Sequence, residues 1–401
     1  MNVLVVGQNY RIVGGSDRYL VELCELLKKN GHNPIPFVAE HEQNLKTKYE
    51  KYFPKRVNFE NPRIRDVVNY CYSFSARTSI NRLLRDEKID IVHLNIYYGQ
   101  LTSSIIREVK SRKIPIVQTL HEYKLLCPVY RLYRNESYCD KCITGNYFYC
   151  LYHRCNRGSV VRSLLSVVES MISRYLGSNT GIDRFIAISK YVKMKHVEAG
   201  IEAERITVVP NFTSSLGRQE RRKSDYFLFF GRVEREKGTS EILDLARESR
   251  YRILVVGEGS EKKKMEEVKQ KEVLDNLEIV GFKSGNDLDE LIRNAKASII
   301  LSRWEEPFGL SVVESMARGT IPIASKRGGI TEIVADGEDG FLVDGRNSKE
   351  ILEKMTWVVN NQSEVEVMEK KAIEKVEQNY SEEVFYRKLM GVYRKEIFEN
   401  V

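Results

Sequence analysis

Short apolar runs alternate with helical stretches along the whole chain, and this alternation is the dominant pattern of the sequence. The runs of the first half are 3–6, 34–38, 90–94, 115–120, 185–190 and 207–212, and those of the second half are 226–230, 252–256, 277–282, 297–301 and 322–325. Nearly continuous apolar runs between amphipathic helices are typical of parallel strands that are covered by helices on both faces. The pattern therefore predicts an α/β protein built from doubly wound parallel sheets.

The length of the chain allows two such domains. With 401 residues, each half can bury a core of its own. A polar, basic stretch at 213–225 separates the two sets of apolar runs and predicts a linker. We predict an N-terminal domain over 1–211, a second domain over 212–380 and a closing amphipathic helix within 381–401.

The composition predicts a cytoplasmic protein. No apolar run approaches the eighteen or so residues that a membrane helix needs, and the first residues lack the basic start and cleavage site of a signal peptide. In the cytoplasm the seven cysteines would stay reduced unless they bind metal.

Charge is shared unevenly between the halves. Residues 1–211 contain 32 Lys and Arg against 20 Asp and Glu, a net charge of +12, which leaves −4 for 212–401. A basic first half favours a phosphorylated ligand, nucleic acid or the anionic inner face of a membrane as partner, unless the surplus cations only keep the protein soluble. Because no nucleic-acid-binding motif is visible, we expect no nucleic acid partner.

Candidate ligand-binding residues of the first half follow the carboxyl ends of predicted strands, where open α/β sheets bind ligands. Gly14 and Gly15 lie between the first strand and the first helix, and glycines there let the backbone approach a phosphate, although a plain tight turn is the alternative. His121 directly follows the strand at 115–120. A histidine at that place is either a ligand contact or a structural hydrogen-bonding group.

The second half contains two further candidate loops. Arg232 and Lys237 lie five residues apart in a glycine-bounded loop, and two such cations can bind a diphosphate or remain solvated. Glu306 opens a Pro-Phe-Gly turn, and Glu314 follows eight residues later, about one turn into a helix predicted over 310–317. Carboxylates beside a helix N-terminus suit an anionic or polyhydroxy ligand, whereas the spacing alone fits a capping and a surface glutamate equally well.

Five cysteines fall within 29 residues, in an insert at about 127–155. They are Cys127, Cys139, Cys142, Cys150 and Cys155, and the pair at 139 and 142 forms a C-x-x-C. Thiolates at this spacing suit a structural zinc, which would stabilise a loop that lacks a continuous core. Disulfides or free buried cysteines are the alternatives, and the choice of ligands stays open.

A helix predicted over 160–176 is both amphipathic and basic. One side of it contains the apolar residues Leu164, Leu165, Val168, Met171, Ile172 and Leu176, and arginines surround it. Such a helix can lie on a membrane surface, but we expect this one to pack its apolar side on its own domain.

Three of these segments resemble the retaining glycosyltransferases of family 4. Residues 306–314, Glu-Pro-Phe-Gly-Leu-Ser-Val-Val-Glu, match the E-x7-E signature of the family, 231–238 resembles its G-R-x-x-x-x-K-G segment, and 119–123 resembles the segment whose histidine reaches the donor sugar. The resemblance covers nearly the whole chain. It implies the GT-B arrangement, in which two Rossmann-like domains face each other across a cleft and the last helix crosses back onto the first domain. A similar cysteine-bearing insert occurs in a subset of the family.

The resemblance also implies an activity, the transfer of a hexose from a nucleotide-diphosphate sugar to a hydroxyl of a glycan, lipid-linked or phosphorylated acceptor. Arg232 and Lys237 would neutralise the leaving diphosphate, so that no cofactor is needed in the chemical step. Glu314 would bind the ribose, and Glu306 and His121 would contact the hexose. The resemblance also implies that the backbone amides of Phe308, Gly309 and Leu310 contact the hexose. Gly14, Gly15 and Phe282 are further candidate donor contacts because of their positions after predicted strands.

Two other functions are compatible with the same architecture. A sugar-nucleotide epimerase would need further acid–base groups around the sugar and no second substrate. A non-catalytic relative would only bind the nucleotide sugar. The intact motif residues favour transfer.

Overall fold

The computed structural model describes residues 1–213 and 224–398, and it divides into two compact units. The first unit comprises Met1–Leu132, Cys139–Val209 and the chain from Tyr386 onward, and the second comprises Tyr133–Tyr138 and Pro210–Phe385. Most of the predicted linker and the last three residues of the predicted closing segment lie outside the described residues.

The strands and helices follow the alternation of the sequence. In chain order the strands are β1 (Asn2–Val6), β2 (Asn33–Phe37), β3 (Ile91–Leu94), β4 (Ile116–Leu120), β5 (Tyr133–Arg134), β6 (Ser137–Tyr138), β7 (Arg184–Ala187), β8 (Ile206–Val208), β9 (Tyr226–Phe230), β10 (Arg252–Val256), β11 (Leu277–Gly281), β12 (Ser298–Ile300), β13 (Pro322–Ser325) and β14 (Phe341–Val343). The helices are α1 (Gly15–Lys29), α2 (Ile64–Cys71), α3 (Phe74–Asp86), α4 (Ser104–Lys110), α5 (Phe148–Tyr152), α6 (Val160–Tyr175), α7 (Lys190–Glu198), α8 (Thr239–Glu248), α9 (Lys262–Glu272), α10 (Gly285–Asn294), α11 (Leu310–Ala317), α12 (Ile330–Ile333), α13 (Ser348–Asn360), α14 (Gln362–Asn379) and α15 (Glu382–Phe398).

A parallel sheet with the strand order β2-β1-β3-β4-β7-β8 forms the centre of the first unit. Its middle strands are buried along their whole length, which explains why they appear in the sequence as unbroken apolar runs. The order reverses between β1 and β3. The carboxyl ends of these strands therefore form the edge at which an open α/β sheet binds ligands.

The second unit repeats this architecture with the order β11-β10-β9-β12-β13-β14, again all parallel. Here the reversal falls between β9 and β12, which are neighbours in the sheet. The loop after β9 contains Arg232 and Lys237, and the loop after β12 leads to Glu306. Two Rossmann-like parallel-sheet units confirm the predicted fold.

The last helix, α15, belongs to the first unit from Tyr386 onward. The hydroxyl of Tyr393 lies 2.5 Å from Nδ1 of the buried His93, and Arg184 pairs with Glu396 at 2.6 Å. The Nε2 atom of His93 lies 2.7 Å from the Thr119 hydroxyl, so both ring nitrogens of His93 serve the packing of this unit.

The helix α6 forms where the sequence predicts it and packs on its own unit, but only part of the predicted apolar side is covered: Leu176 is buried, and Leu165 and Ile172 are half-buried. The side that it buries is a polar stripe of small residues, Ser163, Ser166, Ser170 and Ser173. Leu164, Val168 and Met171, which we expected to face the core, are 47%, 37% and 60% exposed. Serines let the helix approach its neighbours closely and hydrogen bond to them, as Ser173 does with Ser103.

None of the helices in the described ranges combines the length and the hydropathy that a membrane-spanning segment requires.

Candidate active site

The glycine-bounded loop after β9 folds against the end of β12. Gly238 has φ +87°, and a Cβ atom at this position would lie 2.3 Å from the carbonyl oxygen of Leu301. Only glycine permits both the backbone angle and this close approach. The chain between, Arg235–Lys237, forms a 3₁₀ turn. The turn therefore fixes Lys237 beside the loop that follows β12.

Lys237 and Glu306 form an ion pair at this edge of the second sheet. Their side chains are 23% and 9% exposed, so the pair is largely removed from water. The hydroxyl of Ser302 donates a second hydrogen bond to the same carboxylate oxygen. Burial alone would raise the pKa of Glu306, but the Lys237 charge and the hydrogen bonds from Lys237, Ser302 and Trp304 outweigh it and lower that pKa. Glu306 is therefore ionised at neutral pH.

A second glycine pair packs behind the Glu306 loop. Gly328 has φ +53°, and a Cβ atom there would lie 2.2 Å from the Glu306 carbonyl oxygen. The N–H of Gly329 donates to that carbonyl at 2.7 Å. The carboxylate of Glu305 accepts from the Gly328 N–H at 2.7 Å and from Arg327 at 3.2 Å. The backbone on both sides of Glu306 is thus held by residues after β13.

The turn after Glu306 leads directly into α11. Gly309 precedes the helix with φ +105°, and Leu310 is its first residue. Phe308 is buried, with its ring centroid 5.7 Å from that of Tyr380. Glu314 lies in the second turn and is buried. The first N–H groups of α11 and the two motif glutamates therefore belong to one short stretch of backbone.

The other predicted donor residues of the second unit are on its surface. Arg232 is exposed in the loop after β9, five residues before Lys237. Phe282 follows β11 and is 65% exposed. Both are accessible to a ligand at the carboxyl edge of this sheet.

In the first unit, His121 follows β4 as predicted. Its Nε2 atom lies 3.1 Å from Oδ1 of Asn95, and its ring packs edge-on against Tyr19 at 4.5 Å between centroids. Burial lowers the pKa of His121 to about 3, so the ring is neutral at physiological pH. Asn95 was not predicted, but its position directly after β3 is the same signal that identified His121.

The glycine pair of the first unit lies at the start of α1. Gly14 has an extended backbone, Gly15 is the first helical residue, and no atom would lie within 4 Å of a Cβ at either position. Neither glycine is required by local packing. Arg18, one turn later, pairs with Glu22 at 2.7 Å.

Residues around the Lys237–Glu306 pair have roles that sequence reasoning did not assign. Ser302 and Trp304 lie in the same loop as Glu306, and the Lys237 ammonium is 5.4 Å from the Trp304 ring centroid. Arg303 pairs with Glu241 of α8 at 2.7 Å. These residues lie within or beside the motif, but a motif does not show which side chains turn inward.

The cysteines of the insert lie in the first unit. Cys142 and Cys150 are buried with Tyr147 and Val167, and Cys155 packs against them. Burial, with a smaller contribution from the neighbouring thiols of Cys127 and Cys155, raises the pKa of Cys142 to about 12.

The sulfur of Cys127 accepts hydrogen bonds from the backbone of Leu132, Val129 and Arg131. Within the described ranges all cysteines are free thiols, and no group of three or more His, Cys, Asp or Glu side chains is arranged to hold a metal ion. The sulfurs thus share one neighbourhood without a formed metal site, and zinc stays a prediction.

Two parallel-sheet, Rossmann-like units are the architecture of the GT-B fold, and the carboxylate–cation pair lies at the strand-order reversal of the second unit. The family model described as "Glycosyltransferase Family 4" matches residues 13–214, and the model described as "Glycosyl transferases group 1" matches residues 215–375. The chain belongs to Glycosyltransferase Family 4.

Relatives of similar length support this membership. The chain is 26% identical to an uncharacterized protein in the cps region of Klebsiella pneumoniae, over 83% of this chain and 87% of that one. It is 24% identical to an uncharacterized glycosyltransferase of Methanocaldococcus jannaschii, over 90% and 89% of the two chains. Its fold is similar to that of Anabaena HepE in a crystal structure with UDP and glucose, with a TM-score of 0.71, 15% identity and coverage of 98% and 100%.

Proposed function

We propose that this glycosyltransferase moves a hexose from a nucleotide-diphosphate sugar to an acceptor hydroxyl with retention of the anomeric configuration. The observation that carries the proposal is the Lys237–Glu306 pair at the strand-order reversal of the second sheet, directly before the N-terminus of α11. A cation beside a carboxylate and free helix amides matches a ligand that contains both phosphate and hydroxyl groups.

The diphosphate is the part of the donor that Lys237 and Arg232 would bind. A lysine ammonium has three N–H donors, so Lys237 can keep its bond to Glu306 while it donates to a phosphate oxygen. Arg232, exposed on the same loop, adds a second and permanently charged group. In the proposed reaction the two cations stabilise the charge that develops on the leaving diphosphate, so the chemical step needs no metal.

The sugar and the ribose are the parts that the carboxylates would bind. Glu306 is ionised, so it can accept hydrogen bonds from the hexose hydroxyls, with the amides of Phe308, Gly309 and Leu310 beside it. Glu314 would accept from the ribose. Retention then follows from attack on the face that the diphosphate leaves, with the phosphate oxygen taking the acceptor proton, so catalysis is mainly positioning and leaving-group stabilisation.

His121 of the first unit would contact the hexose as a neutral ring. Because its pKa is far below 7, it acts as a hydrogen-bonding group rather than as a cation. Asn95, at 3.1 Å from Nε2, would fix the ring orientation.

The proposed acceptors are a growing polysaccharide, a lipid-linked sugar or a phosphorylated molecule. A relative from Staphylococcus aureus that is described as a capsular polysaccharide biosynthesis glycosyltransferase favours a glycan acceptor. The complex of HepE with UDP and glucose makes uridine-diphosphate hexoses the first donors to test.

The decisive experiment incubates the protein with single nucleotide sugars, with and without a mixed acceptor set, and follows the sugar by proton NMR. Transfer to an acceptor with an unchanged anomeric configuration supports the proposal. An inverted product would contradict retention. Conversion of the donor without an acceptor would indicate an epimerase, and binding without any turnover would indicate a non-catalytic relative.

The cysteine cluster adds a structural proposal that is independent of transfer. We propose that thiolates of the Cys127–Cys155 insert bind one structural zinc, which is consistent with their shared neighbourhood and with the backbone hydrogen bonds to the Cys127 sulfur. Metal content of the purified protein tests it.

A further inference from the structure

The exposed side of α6 is an apolar stripe that runs the length of the helix. Its members recur at helical spacing and are strongly exposed: Val161 (75%), Leu164 (47%), Val168 (37%), Met171 (60%) and Tyr175 (78%). The opposite side, with its serines and Glu169, is buried. The helix therefore exposes these apolar side chains to solvent, whereas a surface helix normally buries its apolar side against the core.

The buried side explains why the helix cannot simply rotate. Glu169 pairs with the buried Lys124 at 2.5 Å, and Lys124 also donates to the Pro128 carbonyl at 2.8 Å. Asn156 donates to the Ser166 hydroxyl at 2.8 Å. Exposing this network would leave buried polar partners unsatisfied, so the apolar side stays outside.

Two helices that pack against α6 also expose apolar side chains. The helices α2 and α5 both pack against α6. On α2, Ile64, Val67 and Val68 are 85%, 40% and 48% exposed, and on α5, Phe148 and Tyr152 are 63% and 70% exposed. Phe148 of α5 lines one groove with Met171 and Tyr175 of α6, so the apolar exposure of these two helices is continuous, unlike the scattered exposure of single residues that is normal on a protein surface.

The charges on this surface are almost all positive. Residues 141–175 contain five Lys and Arg and a single acidic residue, Glu169, which is buried and paired. The cations, all exposed, are Lys141, Arg154, Arg157, Arg162 and Arg174. Arg63 and Arg65, beside Ile64, are exposed as well. We call this surface, formed by α2, α5 and α6 with these cations, the α6 surface.

A groove of about 600 Å³ adds to the α6 surface between α5 and α6. Its walls include Phe148, Leu151, Met171 and Tyr175, and Arg174 lines it as well. Such a groove suits a phospholipid, because the acyl chain can lie against the apolar walls while the guanidinium of Arg174 contacts the lipid phosphate.

We propose that the α6 surface docks the protein on an anionic lipid bilayer, with the apolar residues of α2, α5 and α6 entering the headgroup region and the arginines contacting lipid phosphates. Apolar insertion and cationic attraction together are the two signals that stable peripheral binding requires. A second copy of the chain is a poorer occupant, because a symmetric dimer through this surface would bring arginines against arginines. The inference does not depend on the proposed transfer, since docking needs no donor.

The test is sedimentation of the full-length protein with vesicles of phosphatidylcholine containing 30% phosphatidylglycerol, without any nucleotide sugar. We expect the wild type to bind these vesicles, and to bind pure phosphatidylcholine vesicles at least about tenfold more weakly. The variant Val161→Ser/Met171→Ser should bind the anionic vesicles at least about tenfold more weakly than the wild type. Arg157→Ala/Arg162→Ala should lower binding and flatten its salt dependence.

Matched controls come from the second unit. Val367→Ser removes an apolar side chain that is 52% exposed on α14, and Lys263→Ala removes a cation whose side chain is 88% exposed on α9. Both should bind like the wild type, and unchanged melting temperatures would show that the α6 variants are folded. Failure of the wild type to bind, or equal binding by the α6 variants, would overturn the proposal. So would a wild-type dimer, seen by light scattering, that Val161→Ser/Met171→Ser converts to a monomer.

Discussion

At the scale of single residues, the site depends on one buried ion pair. Glu306 is a carboxylate that burial would drive toward its neutral form, and Lys237 keeps it ionised. A variant of either residue therefore changes both the ligand contacts and the charge state of the partner.

Lys237→Met should cut sugar transfer at least about a hundredfold, since one diphosphate-binding cation is lost. It should also lower the free energy of unfolding by about 3 kcal/mol at pH 7, because a buried carboxylate is left without its partner. Without Lys237 the pKa of Glu306 rises, and a raised carboxylate pKa favours the folded state only at low pH. The deficit relative to wild type, measured by urea unfolding, should therefore shrink from pH 7 to pH 5.

Lys263→Met on the exposed face of α9 is the matched control and should behave like the wild type. A deficit of Lys237→Met that is the same at both pH values would contradict the pairing of Lys237 with Glu306.

The glycine behind Glu306 gives a second residue-scale prediction. Gly328→Ala places a Cβ 2.2 Å from the Glu306 carbonyl oxygen and should displace the motif loop, with loss of transfer and of at least about 3 kcal/mol of stability. Gly337 also has a positive φ, +76°, but no atom would lie within 4 Å of its Cβ. Gly337→Ala should cost only about 1 kcal/mol of backbone strain and leave transfer intact. Thermal melts and a transfer assay compare the two, and equal effects would show that contact with Glu306 is irrelevant.

The sequence identified the residues of the second-unit site but not their contacts. Lys237 and Glu306 each stand out in a motif, yet they are 69 positions apart and meet because β9 and β12 are neighbours in the sheet. Strand order is a property of the whole fold, so the ion pair could not be read from either motif.

At the scale of elements, strands were easier to predict than the orientation of helices. The middle strands of both sheets are buried on both faces, and such a strand appears in the sequence as an unbroken apolar run that can be recognised without knowing its neighbours in the sheet. The exposure of Leu164, Val168 and Met171 on α6 could not be predicted, because amphipathic spacing shows that two sides of a helix differ and not which side is covered. The buried Lys124–Glu169 pair decides the orientation, and it joins residues that are far apart in the sequence.

A double-mutant cycle tests this role of the Lys124–Glu169 pair. Lys124→Met and Glu169→Gln should each destabilise the protein by about 3 kcal/mol, because each leaves the other group buried without its partner. The double variant should cost less than the sum by about 2 kcal/mol. The exposed pair Lys263–Glu267, 3.9 Å apart on α9, is the control and should show a coupling below about 0.5 kcal/mol. Additive effects at 124 and 169 would contradict a buried ion pair.

At the scale of the whole molecule, three histidines of the first unit couple folding to pH. Burial lowers the pKa of His93 and His121 to about 3 and that of His196 to about 4. Each unfolded histidine takes up a proton near pH 6.5 while the folded one does not, so stability falls as the pH is lowered through 6.5.

Near pH 5.5 the three sites together should give a slope of up to about 4 kcal/mol per pH unit. His196→Gln should reduce this slope by about one third, the share of one of the three histidines, whatever its effect on stability at neutral pH. Urea unfolding between pH 7.5 and 5.5 measures the slope, and an unchanged slope would contradict the burial of neutral His196.

Metal content is a second whole-molecule measurement. If the insert binds zinc, the purified protein should contain about one equivalent, and Cys142→Ser should lose it and melt at a lower temperature. Cys24→Ser changes a buried cysteine outside the insert and should keep the metal. Absence of zinc from protein purified without chelators would overturn the zinc proposal and leave the transferase proposal untouched.

Donor binding by the second unit is tested most directly by thermal melting of wild type, Lys237→Met and Lys263→Met against a panel of nucleotide sugars. A donor at 100 times its dissociation constant should stabilise the wild type and Lys263→Met by about 2.7 kcal/mol, and Lys237→Met by much less. The same shift in Lys237→Met, or no shift in the wild type with any nucleotide sugar, would contradict the proposed site.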